Sequence, residues 1–335
     1  MTKKNTINRR EVLHLGGAAL AVGLAPGCST EPRESTNPMN TTTNPATTSL
    51  HESAPPRPVI HRTRGHAGGP ITRLMSPSDR RADLVKPFVF LDLFEWSGDA
   101  GDAPSLETGW HPHSGIATVT VILDGSVQYA ETTGNAGVLP AGSVEWMRAG
   151  GGVWHTGTLG DGPVRGFQLW VALPPELENA PNESQYVLAE QVPASGPARV
   201  VLGAYNGATS PIAAPPMTYL SVSLRDGDRW TFEPPAGHDV AWVAVMNGAV
   251  RSPEPISSGE MAIFEQGIAP IDFVAEGYTR FVLGSASQHP HELVLGHYSV
   301  HTSRDALERG ETEIRRIGGV LRAEGKQSYA LRAFG

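Results

Sequence analysis

Turn-forming residues divide this chain into short pieces, and that limits what it can fold into. The apolar positions Leu91, Val119, Val121, Val127, Val138 and Val144 fall in short alternating segments, with Asp124-Gly125, Gly134-Asn135 and Pro140-Ala141-Gly142 at the breaks. A period of two, interrupted by Gly, Asn, Asp and Pro, is the pattern of strands joined by hairpin turns. Glycine at 38 and proline at 28, with 18% charged residues, extend that pattern over the chain and favour an all-β fold. One segment differs. Ser303 to Glu308 opens a helical run reaching about Arg316, with Ser303 or Asp305 as cap and Gly318-Gly319 as stop, so a single short C-terminal helix is expected.

The N-terminus reads as an address and is set aside from the fold. Residues 1–28 have a basic start ending in Arg9-Arg10, an apolar run from Leu15 to Ala25, and small residues before Cys28. Asn8-Arg9-Arg10-Glu11-Val12-Leu13 matches the twin-arginine pattern of a signal peptide, which directs export and is not itself an anchor. Leu24-Ala25-Pro26-Gly27-Cys28 resembles a bacterial lipobox, although Pro26 is untypical there, and makes Cys28 the expected lipidation site. As the chain's one cysteine, Cys28 also excludes an intramolecular disulfide. Residues 29–58 are Ser, Thr, Asn and Pro with almost no large apolar side chains, the composition of a disordered tether. The expected product is exported from a bacterial cytoplasm as a periplasmic protein or a lipoprotein, touching membrane only through its lipid.

Charge narrows the partners. The formal net charge is -8, and residues 1–27 contribute +3, so the remaining chain carries -11. An acidic body without a basic stripe repels phosphate backbones, and no nucleic-acid partner is expected.

At 335 residues the chain is long enough for two cores. A first domain is expected over 59–195 and a second over 196–335, related by duplication. Asn247-Gly248-Ala249-Val250 echoes Asp124-Gly125-Ser126-Val127, and Ser258 to Phe264 echoes Ala141 to Met147 in turn glycine and apolar positions. The second copy has only His238 where the first has two histidines, which confines metal chemistry to the first half.

Those two histidines are His111 and His113. Alternate residues of a strand project to one face, so His111-Pro112-His113 can present two imidazoles to one ion, and His155, after Gly150-Gly151-Gly152, can bring a third from another strand. Imidazole suits zinc, iron, copper or nickel. Trp110, Trp146 and Trp154 either line a pocket there or belong to the core. His289-Pro290-His291 repeats the tripeptide without a matched third histidine, and a surface or interdomain role is expected for it.

Gly109-Trp110-His111-Pro112-His113-Ser114-Gly115, Asp124-Gly125, Pro140 through Gly152, His155 and Gln168-Leu169-Trp170-Val171, in that order, resemble the core of the pirin family. The similarity extends upstream through Gly69-Pro70-Ile71 and Lys86-Pro87-Phe88 and, more loosely, to Tyr298-Ser299-Val300-His301-Thr302. It implies a bicupin: two antiparallel double-stranded β-helix (cupin) barrels. It also implies a divalent metal, usually iron, in the first barrel, with His111, His113 and His155 as ligands. The family's fourth ligand is a glutamate two positions after the third histidine. That position is Gly157 here, and the general cupin glutamate falls near Ala117 or Thr118. A carboxylate such as Glu107 or Glu131 would have to enter from a loop. Some pirins act like quercetin dioxygenases, which implies an oxygen-dependent dioxygenase acting on a phenolic or flavonoid small molecule. Gly157 weakens that assignment. A non-enzymatic metal-binding or regulatory module and a metal-free structural bicupin remain open.

Overall fold

The computed structural model describes residues 56–98, 109–160 and 162–333. The address, Cys28, most of the tether and Glu107 lie outside them. The described residues form a bicupin with every ladder between named strands antiparallel.

The first barrel is built from two facing sheets. A seven-stranded sheet runs Glu183–Val187, Val144–Arg148, Ile116–Asp124, Val164–Ala172, Phe88–Trp96, Ile71–Met75 and His66–Gly68 in spatial order. Against it lies a four-stranded sheet of His111–His113, Val153–Leu159, Ser126–Glu131 and Ala136–Pro140. The larger sheet is covered on both faces, which explains why one of its interior strands, Ile116–Asp124, is buried along most of its length. Val119 and Val121 join an apolar cluster continuing into the second half through Tyr219, Trp242 and Met261. Thr120 and Ile122, pointing the other way, enter the barrel.

The second half is a nine-stranded sheet whose longest strand, Ile271–Ala286, pairs with Met217–Leu224, Val240–Arg251 and Arg229–Phe232. Its first-half edge is unexpected. Val59–Thr63, placed by sequence with the first barrel, pairs with Met261–Phe264, and Ala194–Ser195 also belongs to this sheet. Backbone pairing has carried both ends of the expected 59–195 segment across to the other half. Apolar alternation shows that a strand will pair and does not say with which partner.

Two turn readings change meaning. Gly134-Asn135 closes a true hairpin between Ser126–Glu131 and Ala136–Pro140. Asp124-Gly125 and Pro140-Ala141-Gly142 are instead corners where the chain leaves one sheet for the other. The echoed Asn247-Gly248 is a kink within the continuous strand Val240–Arg251, marked by register shifts on both sides of Asn247.

Helices are also more numerous than expected. α1 (Arg80–Val85) is capped by Asp79, which accepts from the Arg81 backbone N–H. α2 (Arg304–Ala323) is capped by Ser303 as expected, its side chain accepting from the Ala306 N–H at 3.2 Å. α2 does not stop at Gly318-Gly319. The indole of Trp154 lies against Gly318 so closely that a Cβ there would come within 2.8 Å of the ring, and Trp154 Nε1 donates to the Ile314 carbonyl at 2.7 Å. The glycine is a contact surface within the helix. α3 (Tyr329–Ala333) completes the patch with Ala330 and Leu331.

Candidate metal centre

The strands His111–His113 and Val153–Leu159 pair antiparallel with His111 directly opposite His155 and His113 opposite Val153. Directly opposed residues share a face, and so do residues two apart on one strand, so all three imidazoles are directed to one side. Each offers a ring nitrogen within 4.8 Å of the others, and all three side chains are buried. The Nε2 atoms of His113 and His155 are 3.1 Å apart. Two nitrogens bound to one metal at about 2.0–2.1 Å, at angles between square and tetrahedral, are separated by about 2.8–3.4 Å. The donor set therefore fits a divalent metal.

The other ring nitrogens fix this orientation. His111 Nδ1 lies 3.0 Å from the Gly109 carbonyl and His113 Nδ1 lies 3.2 Å from the Tyr298 carbonyl, so both rings donate outward and keep Nε2 as the lone-pair nitrogen. His155 Nδ1 lies 4.0 Å from Glu145 Oε1. Burial first, then the neighbouring His111 and His113, holds His155 well below the usual imidazole pKa of 6.5, so it is neutral and able to bind metal at pH 7. Below 6.5 the unfolded His155 takes a proton that the folded one refuses, so metal-free protein should lose stability as pH falls through this region. Denaturant midpoints at pH 7.5 and 5.5 check this, and His155→Ala should narrow the difference; an unchanged difference would contradict it.

A cavity of about 50 Å³ adjoins the cluster, with His111, His155, Gly157, Thr120 and Glu145 among its walls and Phe94 and Leu139 on its apolar side. It has room for water or the edge of a ligand. Glu131, one expected source of a carboxylate, sits opposite His155 in the ladder, but Asn135, Ser184 and Tyr186 all donate to it. It is occupied as a structural acceptor. The sequence reading missed Glu145. Its signal was an ionisable residue flanked by Val144 and Trp146 in a strand otherwise apolar up to Arg148.

The second half contributes to the centre through one segment. Ser114 Oγ lies 2.9 Å from Ser299 Oγ and 3.0 Å from His301 Nε2, and His301 Nδ1 lies 3.3 Å from Glu178 Oε2. Ser114 and His301 are buried, so this serine–histidine–carboxylate line fastens the strand holding His113 to the second half. Gly115 makes the approach possible: at φ +75, a Cβ would lie 2.0 Å from the Val300 carbonyl. Gly115→Ala should destabilise the fold by more than about 1 kcal/mol, seen as a lower unfolding midpoint, and a neutral result would refute the close fit.

Trp146 and Trp154 are core residues, fully buried, and Trp110 packs against the Trp154 cluster. His289-Pro290-His291 lies at a junction of the halves: the His289 N–H donates to the Lys86 carbonyl at 3.0 Å, and Lys86 Nζ donates to the His291 carbonyl at 2.6 Å.

Two barrels in one chain, the first carrying a buried three-histidine cluster, define a bicupin with a metal-binding centre. Residues 71–171 match the family model described as Pirin. A pirin-like protein of Caulobacter vibrioides is 34% identical over 215 residues, spanning 59% of this chain and 75% of that protein. A Pseudomonas aeruginosa protein provisionally named a quercetin 2,3-dioxygenase is 25% identical over 241 residues, 67% of this chain and 83% of that one. Among solved structures, a quercetin 2,3-dioxygenase from Acinetobacter baumannii superposes with TM-score 0.66 at 24% identity, covering 78% of this chain and 95% of that one. An Escherichia coli pirin in complex with nickel(II) gives TM-score 0.53 at 19% identity, over 70% and 98% of the two chains. The chain belongs to the pirin family.

Proposed function

We propose that this pirin is an exported, oxygen-dependent dioxygenase acting on a phenolic or flavonoid small molecule, with iron held by His111, His113 and His155. The observation carrying the reading is the convergence of three buried imidazoles beside a cavity, with carbonyls behind two of them. The bound metal would act as a Lewis acid toward a substrate oxygen and as the site of dioxygen chemistry. The protein's part is to hold three neutral nitrogens and leave other coordination positions open. In this reading the substrate's hydroxyl-bearing edge enters the part of the cavity lined by His111, His155 and Glu145, with its apolar part against Ile71, Phe94 and Leu139. The provisional name of the Pseudomonas relative supports this substrate class.

Metal analysis of tag-free protein recovered through its own export route, followed by oxygen uptake with a panel of phenols and flavonoids, tests the reading. One iron per chain and substrate-dependent uptake are expected. Metal without uptake would make it a binding module, and no metal would make it a structural barrel. We assign the N-terminal address and tether to export and lipidation at Cys28, because basic, apolar, lipobox-like and polar segments occur in order. Labelling with a fatty-acid analogue should depend on Cys28. Unchanged labelling and membrane fractionation in Cys28→Ala would leave a simple periplasmic protein.

A further inference from the structure

We propose that Glu145 is the positioning residue of the metal centre, supplying through His155 negative charge that the three neutral imidazoles do not provide; the proposal rests on the metal reading above. Three imidazoles are neutral donors, and a divalent ion among them would leave its charge in a buried cavity. Such a charge needs a compensating anion nearby. At position 157, beside the cavity, there is only glycine.

The buried carboxylates among the described residues separate by what they face. Asp92 is held by Arg73 through two contacts of 3.0 Å. Glu131 accepts from Asn135, Ser184 and Tyr186, Glu178 faces His301 and Thr302, and Glu260, in the second half, accepts from the Ser257 N–H and pairs with Arg62 and Arg64. Glu145 is 6% exposed, lines the same cavity as His111 and His155, and places Oε1 4.0 Å from His155 Nδ1. Its other oxygen accepts from the Thr120 hydroxyl, which orients the carboxylate toward the imidazole.

The register shows how the fold carries this group. Asp92 is opposite Gln168, Gln168 opposite Thr120, and Thr120 opposite Glu145. These four lie in one polar row across four strands and all border the cavity. The neighbouring rows contain Phe94 and Ile122 on one side and Phe90 and Trp170 on the other. This polar row, which Tyr186 continues beyond Glu145, sets the Glu145 carboxylate beside the one histidine of the three whose Nδ1 is not backed by a main-chain carbonyl at hydrogen-bonding distance in the manner of His111 and His113.

At 4.0 Å the carboxylate acts through its field or one bridging water. Either favours the tautomer with the proton on Nδ1 and makes Nε2 a stronger donor to metal.

The test measures zinc(II) affinity by chelator competition and the visible absorption of cobalt(II)-substituted protein. Wild type, Glu145→Gln, Thr120→Val, His155→Ala and the double variant Glu145→Gln/Gly157→Glu are compared. Glu145→Gln should bind zinc about 10–100-fold more weakly and shift the cobalt bands, with the metal-free melting temperature unchanged. Thr120→Val should show a smaller loss in the same direction, and the carboxylate restored at 157 should recover affinity. A merely structural Glu145 would lower the melting temperature and leave the cobalt bands in place. Wild-type affinity and spectrum in both Glu145→Gln and Thr120→Val, with His155→Ala defective, would overturn the proposal while the metal reading stands. Absence of zinc and cobalt binding in wild type would overturn the metal reading, and this proposal with it.

Discussion

His155→Ala is expected to reduce bound metal from about one ion per chain to background, a larger loss than the roughly 10–100-fold caused by removing a group that only supports a ligand. The reason is placement. His155 faces His111 across the ladder and brings its Nε2 within 3.1 Å of His113 Nε2, so it is the group that converts a strand-borne pair into a three-point site. Two imidazoles that remain cannot enclose an ion, and a truncated third side chain leaves a cavity that water enters. Elemental analysis of purified protein and competition with a chelator measure the loss. Retention of wild-type metal content by His155→Ala would show that the ion binds elsewhere. His111→Ala and His113→Ala should behave alike, and His289→Ala, at the junction of the halves, should keep its metal.

Trp154→Ala should have the largest effect on stability of any substitution near the site. The ring packs with Leu321, Ala330 and Leu331, lies against Gly318 and donates to the Ile314 carbonyl. Removing it combines lost burial, a cavity and an orphaned carbonyl, on the order of 3–5 kcal/mol. Thermal unfolding should move down by on the order of 10 °C. Hydrogen exchange should show α2 and α3 opening first, because Trp154 is one first-barrel side chain that packs against both. A loss below about 1 kcal/mol would mean that α2 is held chiefly by other contacts, such as Asn179 donating to the Ala306 carbonyl. Trp154 is next to His155 in the same strand, so metal affinity should also fall in this variant even though the ring touches no ligand nitrogen. The two readouts together separate a loosened strand from a lost ligand.

Much of the architecture was legible along the chain. Alternation around Val119 and Val121 identified strands because a two-residue period is a local property, and Ser303 marked the start of α2 because a cap is a bond between near neighbours. His111 and His113 were legible as a pair for the same reason. His155 required a second strand, and the spacing around Gly150-Gly151-Gly152 together with the family pattern supplied it.

The remaining features depended on partners distant in sequence. Val59–Thr63 joined the second sheet because Met261–Phe264 offered a free edge there, and nothing within five residues specifies that choice. Gly318-Gly319 looked like a helix stop because glycine lowers helix propensity, yet an indole brought from Trp154 made the small residue favourable inside the helix. Glu145 was hidden in the same way. In sequence it is a charged residue in a short strand that is otherwise apolar up to Arg148. Only the register that lines up Asp92, Gln168, Thr120 and Glu145, and the packing of that sheet against the strand holding His155, set its carboxylate beside the histidine cluster. Local chemistry determined which elements form and which residues are able to bind metal. Long-range pairing and packing decided which of those residues meet and which anion faces them, because these depend on contacts between strands that the sequence separates.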